Sequence, residues 1–405
     1  MNRQRKLFKI ICGLILVIFL CHCSSHNAAP IESSNRYAGN FAANVLPVLV
    51  GDCGPHGYEN EPCTRVKICA PGTSECQVIE NILLDTGSYG LRIFSSQIKV
   101  KLKQSSDKAG NAIGECAQFG TSNTWGPVQI ADVILSGEPA VSIPIQVIDV
   151  SFKNPPTACS SPDTSAEEAG YNGILGVGLL AHDCGSDCVE SSAPGVYFSC
   201  GEQGCKGTPL GLDQQVVNPV AVLPVDNNGV ILELPSVGAS GVAKLTGTLT
   251  LGIGTANNNT PDASGLKLFA ADSSGDFKTQ FQNHTYQSSF IDSGSNGLFF
   301  PENPELPLCN SLQTKAGFYC PSNTQNFLAY QIGADSKTKV EVSFSIANAN
   351  VLVNSFGANS GAFVNLGGTQ TAAFDWGLPF FFGRKVYVGF EGAESKLSKG
   401  PYWAW

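Results

Sequence analysis

Charged residues are scarce in this chain, at 14% of 405 positions, and the formal net charge is −9. No basic stripe or patch is present, so the sequence lacks the electrostatic footprint of a nucleic-acid binder. Methionine occurs once, and no long stretch carries the apolar period of an amphipathic helix, which argues against a helical body. No Gly-x-Ser-x-Gly turn is present, so a serine-hydrolase elbow is missing. Beyond residue 44 the only histidines are His56, His182 and His284, none in a His-Glu-x-x-His frame, which removes the common zinc-peptidase signature. No cofactor fingerprint and no metal-ligand set is read from the sequence.

What is abundant points to a turn-rich β protein: 44 Gly and 23 Pro, with apolar residues still at 42%. Short apolar runs separated by turn signals occur at Val45–Val50, Val66–Cys69, Val78–Leu84, Val128–Leu135 and Ile143–Val150. Further strands are expected at Val216–Leu223, Val230–Leu234, Leu245–Gly252 and Lys385–Phe390, with Asp226-Asn227-Asn228-Gly229 as a hairpin turn. The length allows two lobes, each with its own core. They are placed at 45–215 and 216–405, after a tether over 24–44.

The N-terminus reads as an export signal over residues 1–23. Arg3, Arg5, Lys6 and Lys9 precede an apolar stretch, Phe8 to Leu20, too short for a spanning helix. Leu20-Cys21-His22-Cys23 has the form of a lipoprotein box, making Cys23 a candidate acceptor for a membrane-attaching lipid. Cleavage and release is the other ending, so the protein is expected in the bacterial cell envelope or outside the cell. Twelve cysteines remain past this region, an even number that in an exported chain implies disulfides. The close pairs Cys69 with Cys76, Cys184 with Cys188, Cys200 with Cys205 and Cys309 with Cys320 are natural candidates, with 53/63 and 116/159 left over. A zinc site from Cys184, Cys188, Cys200 and Cys205 is disfavoured by the oxidising compartment.

The feature that carries chemistry is a repeated motif. Asp85-Thr86-Gly87-Ser88-Tyr89-Gly90-Leu91 and Asp292-Ser293-Gly294-Ser295-Asn296-Gly297-Leu298 each follow a β-favouring stretch, Ile82–Leu84 and Ser289–Ile291. The aspartates are 292 − 85 = 207 residues apart, about one lobe. Either copy alone could be an ordinary β-turn. Together they offer one carboxyl from each half, and two close carboxyls that share a proton can activate water and protonate a carbonyl oxygen. In this reading Asp85 and Asp292 are the catalytic pair. Gly87 and Gly294 admit backbone N–H groups, Thr86 and Ser293 tie the loops together, and Ser88 and Ser295 orient the outer carboxylate oxygens.

From about residue 45 to 393 the chain resembles pepsin-like aspartic peptidases, and more closely a group of exported bacterial pepsin-fold proteins of unknown function. Besides the motifs, Asn172-Gly173-Ile174-Leu175-Gly176-Val177, Gly247–Gly252 and Trp376–Phe390 carry the likeness. The resemblance implies an all-β, bilobal acid-protease fold: two six-stranded-barrel-like lobes about a pseudo-twofold axis, with glycine-bearing segments threading beneath the motif loops. It implies a monomeric endopeptidase acting on extended polypeptide between the lobes. Three positions depart from the family. The flap stretch 118–126 offers Phe119 and Trp125 but no tyrosine, Arg92 stands where an aromatic is common, and the glycine of the second threading segment falls on Pro379. Those departures keep a second reading open, a pepsin-fold binding or structural surface protein that turns nothing over. A two-carboxylate glycosidase is the remaining alternative, with no sugar platform to support it.

Overall fold

The computed structural model describes residues 35–120, 122–310, 317–356, 360–370 and 372–405. The expected export signal, the candidate lipid acceptor Cys23 and the expected tether as far as residue 34 lie outside the described residues. Residues 39–405 form the body discussed below. Strand makes up 42% of the structure and helix 10%, as the Gly-rich, β-branched composition implies. The longest α-helices among the described residues, Ser186–Glu190 and Ala349–Val353, span five residues each. No described helix is long and apolar enough to cross a membrane.

The strands fall into two sheets. In the first half, Pro62–Cys69, Cys76–Asp85, Gly173–Val177, Tyr89–Phe94, Val141–Ile148 and Asn123–Ile134 pair in that order, and the last pairs back with the first, closing a six-stranded barrel. In the second half, seven strands form a sheet curled into a half-barrel. Both barrel-like lobes contain the same local topology. Cys76–Asp85 runs parallel to Gly173–Val177, which is antiparallel to Tyr89–Phe94. His284–Ile291 runs parallel to Phe374–Trp376, which is antiparallel to Leu298–Phe300. The motif duplication seen in the sequence is therefore a duplication of strand pairing.

Between these units, Val45–Val50 pairs antiparallel with Leu245–Leu251 and extends the barrel's sheet through Gly229–Leu234 and Arg384–Gly389. All six residues of Val45–Val50 are buried, which accounts for its unbroken apolar sequence. The C-terminal strand Tyr402–Ala404 joins the same sheet and buries Trp403.

One expected strand is absent. Within Val216–Leu223, Pro219–Val222 forms a 3-10 turn capped by the Asn218 side chain, which accepts from Val220 N–H. Pro219 has no N–H to give a ladder, and the Asn cap offers the backbone a local alternative. The Asp226–Gly229 turn consequently leads into a strand from a 3-10 segment and closes no hairpin.

Six disulfides staple the body. The four close pairs read from spacing are all joined, as Cys69–Cys76, Cys184–Cys188, Cys200–Cys205 and Cys309–Cys320. The two left over are joined as well, as Cys53–Cys63 and Cys116–Cys159. The cysteines weighed as a zinc site are thus oxidised among themselves. Cys309 and Cys320 belong to the frame of the second half. Cys320 N–H donates to Pro307 C=O (2.7 Å) and Cys309 N–H to Phe318 C=O (2.9 Å), so backbone bonds flank the staple on both sides. Both half-buried cysteines pack on a small apolar cluster that includes Leu352, Phe363 and Leu366. Such a set of bridges is compatible with an exported or extracellular protein.

Candidate active site

Asp85 is the last residue of its strand and Asp292 the first beyond its own, so two barrel strands deliver the carboxyls to one point. Each is held in the same way. Gly87 N–H donates to Asp85 Oδ1 at 2.7 Å and Ser88 Oγ to Asp85 Oδ2 at 2.5 Å. Gly294 N–H donates to Asp292 Oδ1 at 2.7 Å and Ser295 Oγ to Asp292 Oδ2 at 2.7 Å. The two carboxyls lie close together where the motif loops meet. Space decides the glycines: a Cβ on Gly87 would stand 2.6 Å from Asp292 Cγ, and one on Gly294 2.8 Å from Asp85 Cγ.

The hydroxyls at the second motif position cross between the halves. Thr86 N–H donates to Ser293 Oγ (3.1 Å) and Ser293 N–H to Thr86 Oγ1 (2.9 Å). Thr86 Oγ1 then donates to Ile291 C=O (2.9 Å) and Ser293 Oγ to Leu84 C=O (2.7 Å). Exchanging the halves maps each bond onto its partner. Burial pushes the Asp85 carboxyl well above the usual range, the neighbouring Asp292 carboxyl adds to the shift, and the bonds from Ser88 and Gly87 oppose it.

Residues 40–405 match the model of a family described as a protein of unknown function, DUF3443. The chain belongs to the DUF3443 family. No curated protein is significantly similar to it. What a DUF3443 site can do has therefore to be read from its own residues.

The threading segment behind Asp292 corrects the sequence assignment. Asp85 lies in register with Gly176, and Ile291 with Trp376, which puts Gly377 level with Asp292. A Cβ on Gly377 would lie 2.0 Å from Gly297 O, and one on Gly176 2.6 Å from Tyr89 N. Gly377 therefore fills the position assigned to Pro379, which is two residues on in the 3-10 turn Leu378–Phe381.

The two flap candidates part company. Ala112–Gln118 and Asn123–Ile134 form a hairpin with Phe119 at its tip, where Phe119 N–H donates to Ser122 C=O. The Phe119 ring lies 5.7 Å from the Arg92 guanidinium, so Arg92 carries the hairpin tip by a cation–π contact. Trp125 is fully buried against Phe198 and the 116–159 disulfide, with its indole N–H given to Lys153 C=O. It is a core residue and is not brought to the aspartates. Arg92 also bonds Glu115 (2.6 Å) and Asp183 (3.0 Å), and Tyr197 donates to Asp183 (2.5 Å), forming a buried charged cluster under the hairpin.

Three neighbours were invisible in the sequence. Tyr58, from the loop closed by the 53–63 disulfide, packs with Phe119 and Tyr171. Its phenol is held in the neutral form by burial and by the nearby charges of Glu61, Asp85 and Asp292. A phenol therefore reaches this neighbourhood from outside the hairpin. Asn60 donates to Asn296 C=O at 2.7 Å, tying the same loop to the second motif. Asp375 is a third buried carboxyl, beside Asp292. A cavity of about 530 Å³ in the second half is lined by Phe327, Phe344, Trp376, Phe380 and Arg384 and by neither aspartate, so it is separate from this site.

Proposed function

We propose that this DUF3443 protein is an exported, pepsin-like aspartic endopeptidase that hydrolyses extended polypeptide with a water activated between Asp85 and Asp292. One observation carries the reading: two carboxyls from duplicated strand-turn units, each cradled by a glycine N–H and a serine O–H, meet where a Cβ on Gly87 would stand 2.6 Å from Asp292 Cγ and one on Gly294 2.8 Å from Asp85 Cγ. That is the geometry in which one carboxyl stays protonated beside an ionised partner. Asp85, with its raised affinity for protons, holds the shared proton, and Asp292 takes one proton from the attacking water. The water oxygen bonds to the peptide carbon while Asp85 gives its proton to the carbonyl oxygen. The tetrahedral species collapses by C–N cleavage, the leaving nitrogen receives the proton held by Asp292, and a hydroxyl proton returns to Asp85.

Export is part of the proposal, supported by the six disulfides and the N-terminal apolar stretch. The reading is tested with the purified chain and an unfolded protein substrate at mildly acidic pH. Cleavage inhibited by a statine-type compound and lost in Asp85→Asn is expected. Cleavage that persists in Asp85→Asn sinks the proposal.

A second reading, a pepsin-fold binding protein without turnover, is favoured by the hairpin tip. Phe119 is anchored on Arg92, and the hairpin stretch 118–126 carries no tyrosine. Its mark is partner binding indifferent to loss of both aspartates.

A further inference from the structure

The cavity in the second half is a space that the two-aspartate chemistry does not use. Its wall begins on the hairpin of Gln325–Ile332 and Lys339–Ile346, where Phe327 and Phe344 are cross-strand partners. Their rings stack with centroids 5.4 Å apart, Phe344 meets Trp376 edge-on at 5.6 Å, and Trp376 meets Phe380 edge-on at 5.4 Å. An aromatic wall therefore runs from the hairpin to the 3-10 turn Leu378–Phe381. Trp376 gives its indole N–H to Thr279 Oγ1 (3.0 Å), so its one polar group is already used. Phe327 and Phe344 stay half-buried, in keeping with a curled sheet that remains open. The volume of about 530 Å³ lies within the range of roughly 300–1,000 Å³ usual for small organic ligands.

Arg384 is the one charged side chain among the described residues that line this space. It is half-buried, with its guanidinium 4.4 Å from the ring centroid of Phe380 and 5.2 Å from that of Trp405. Its Nη1 donates to Phe380 C=O at 2.6 Å, which uses one of the five N–H donors a guanidinium carries. Among the described residues no carboxylate comes within ion-pair distance of it. Other cations of the chain are treated differently. Buried Arg92 meets Glu115 and Asp183, and Lys385, the next residue along, meets Glu233 at 2.9 Å. Acids are not in short supply, with 33 Asp and Glu against 24 Lys and Arg. Burial lowers the proton affinity of the Arg384 guanidinium, and no neighbouring acid offsets it. A cation held partly out of water at an apolar cavity, with donors unused, is the complement of a carboxylate carried on a hydrocarbon body.

We propose that the half-barrel cavity binds an apolar monocarboxylic acid, with the hydrocarbon against Phe327, Phe344, Trp376 and Phe380 and the carboxylate on Arg384. The inference goes beyond the peptidase reading and stands apart from it, because neither Asp85 nor Asp292 lines the cavity. Fatty acids and arylalkyl acids share this chemistry, and the choice between them is left to the binding measurement.

The test is calorimetric titration of the purified full chain with decanoate, 4-phenylbutyrate and 1-decanol at about pH 7, where both acids are ionised. At least one acid should bind to a single saturable site, and the tighter of the two identifies the hydrocarbon. Decanol, which lacks the charge, should bind at least about tenfold more weakly than decanoate. Arg384→Met keeps the length of the side chain and removes the charge, so it should weaken the acids by about tenfold or more and leave decanol unchanged. Val364→Trp puts an indole on the wall of the cavity and should weaken acid and alcohol alike. Urea midpoints confirm that each variant is folded. Asp85→Asn should bind as the parent does, whatever becomes of peptide cleavage. A folded parent that binds neither acid overturns the proposal, as does decanol binding as tightly as decanoate or an Arg384→Met chain with undiminished affinity for the acids. Binding lost in Asp85→Asn would move the ligand to the aspartates and overturn it too.

Discussion

Replacing Ser293 by alanine isolates the crossed hydroxyls from the aspartates themselves. Ser293 and Thr86 are buried, at 0% and 1% exposure, so water cannot take over a lost bond. The change deletes the acceptor of Thr86 N–H and the donor to Leu84 C=O. An orphaned buried N–H costs about 1–3 kcal/mol and the carbonyl somewhat less, so the variant should lose about 2–4 kcal/mol. By the matching bonds, Thr86→Val strips Ser293 N–H and Ile291 C=O and should lose a similar amount. With an m-value of about 3 kcal/mol/M, urea unfolding with disulfides intact should show each midpoint lowered by about 1 M. Ser274→Ala, at an exposed loop serine, serves as the control and should stay within about 0.5 kcal/mol. A Ser293→Ala midpoint as close to the parent's as the control's would refute the view that these bonds hold the two halves of the site together.

Three other outcomes are expected. Burial lifts the Glu61 carboxyl from 4.5 to about 8 against the Tyr58 N–H, so the folded state keeps a proton there that the unfolded chain releases. The associated stability is fully present below pH 4.5 and lost as pH rises through about 8; the urea midpoint should fall between about pH 5 and about pH 8.5, and fall less in Glu61→Gln. Gly377→Ala drives a Cβ to 2.0 Å from the Gly297 carbonyl oxygen and should lower the melting temperature sharply, whereas Gly238→Ala, with open space around it, should leave it near the parent's. Arg92→Met strands Glu115 and Asp183 without their cation and should cost about 3–5 kcal/mol at about pH 7, a deficit that narrows as the pH is lowered, because burial raises the proton affinity of Asp183.

The sequence by itself determined the β character, the duplication and the identity of the two facing aspartates. These are written in short-range patterns: apolar stretches of strand length, Gly and Pro at turns, and an Asp-Ser/Thr-Gly-Ser turn repeated one lobe apart. The disulfide candidates, from Cys69–Cys76 to Cys309–Cys320, were legible for the same reason, since short loops bring their cysteines together. Register was not legible. A parallel pairing between segments some 85 residues apart leaves no local mark, so the threading glycine was placed on Pro379 until strand pairing set Gly377 level with Asp292. Burial of Trp125 and the 3-10 turn at Pro219–Val222 were likewise settled by packing and by a local cap. Only the tertiary structure brought Tyr58, Asn60 and Asp375 to the site, because each comes from a segment with no motif of its own. What a carboxyl does there depends on the charges and hydroxyls that distant strands place beside it.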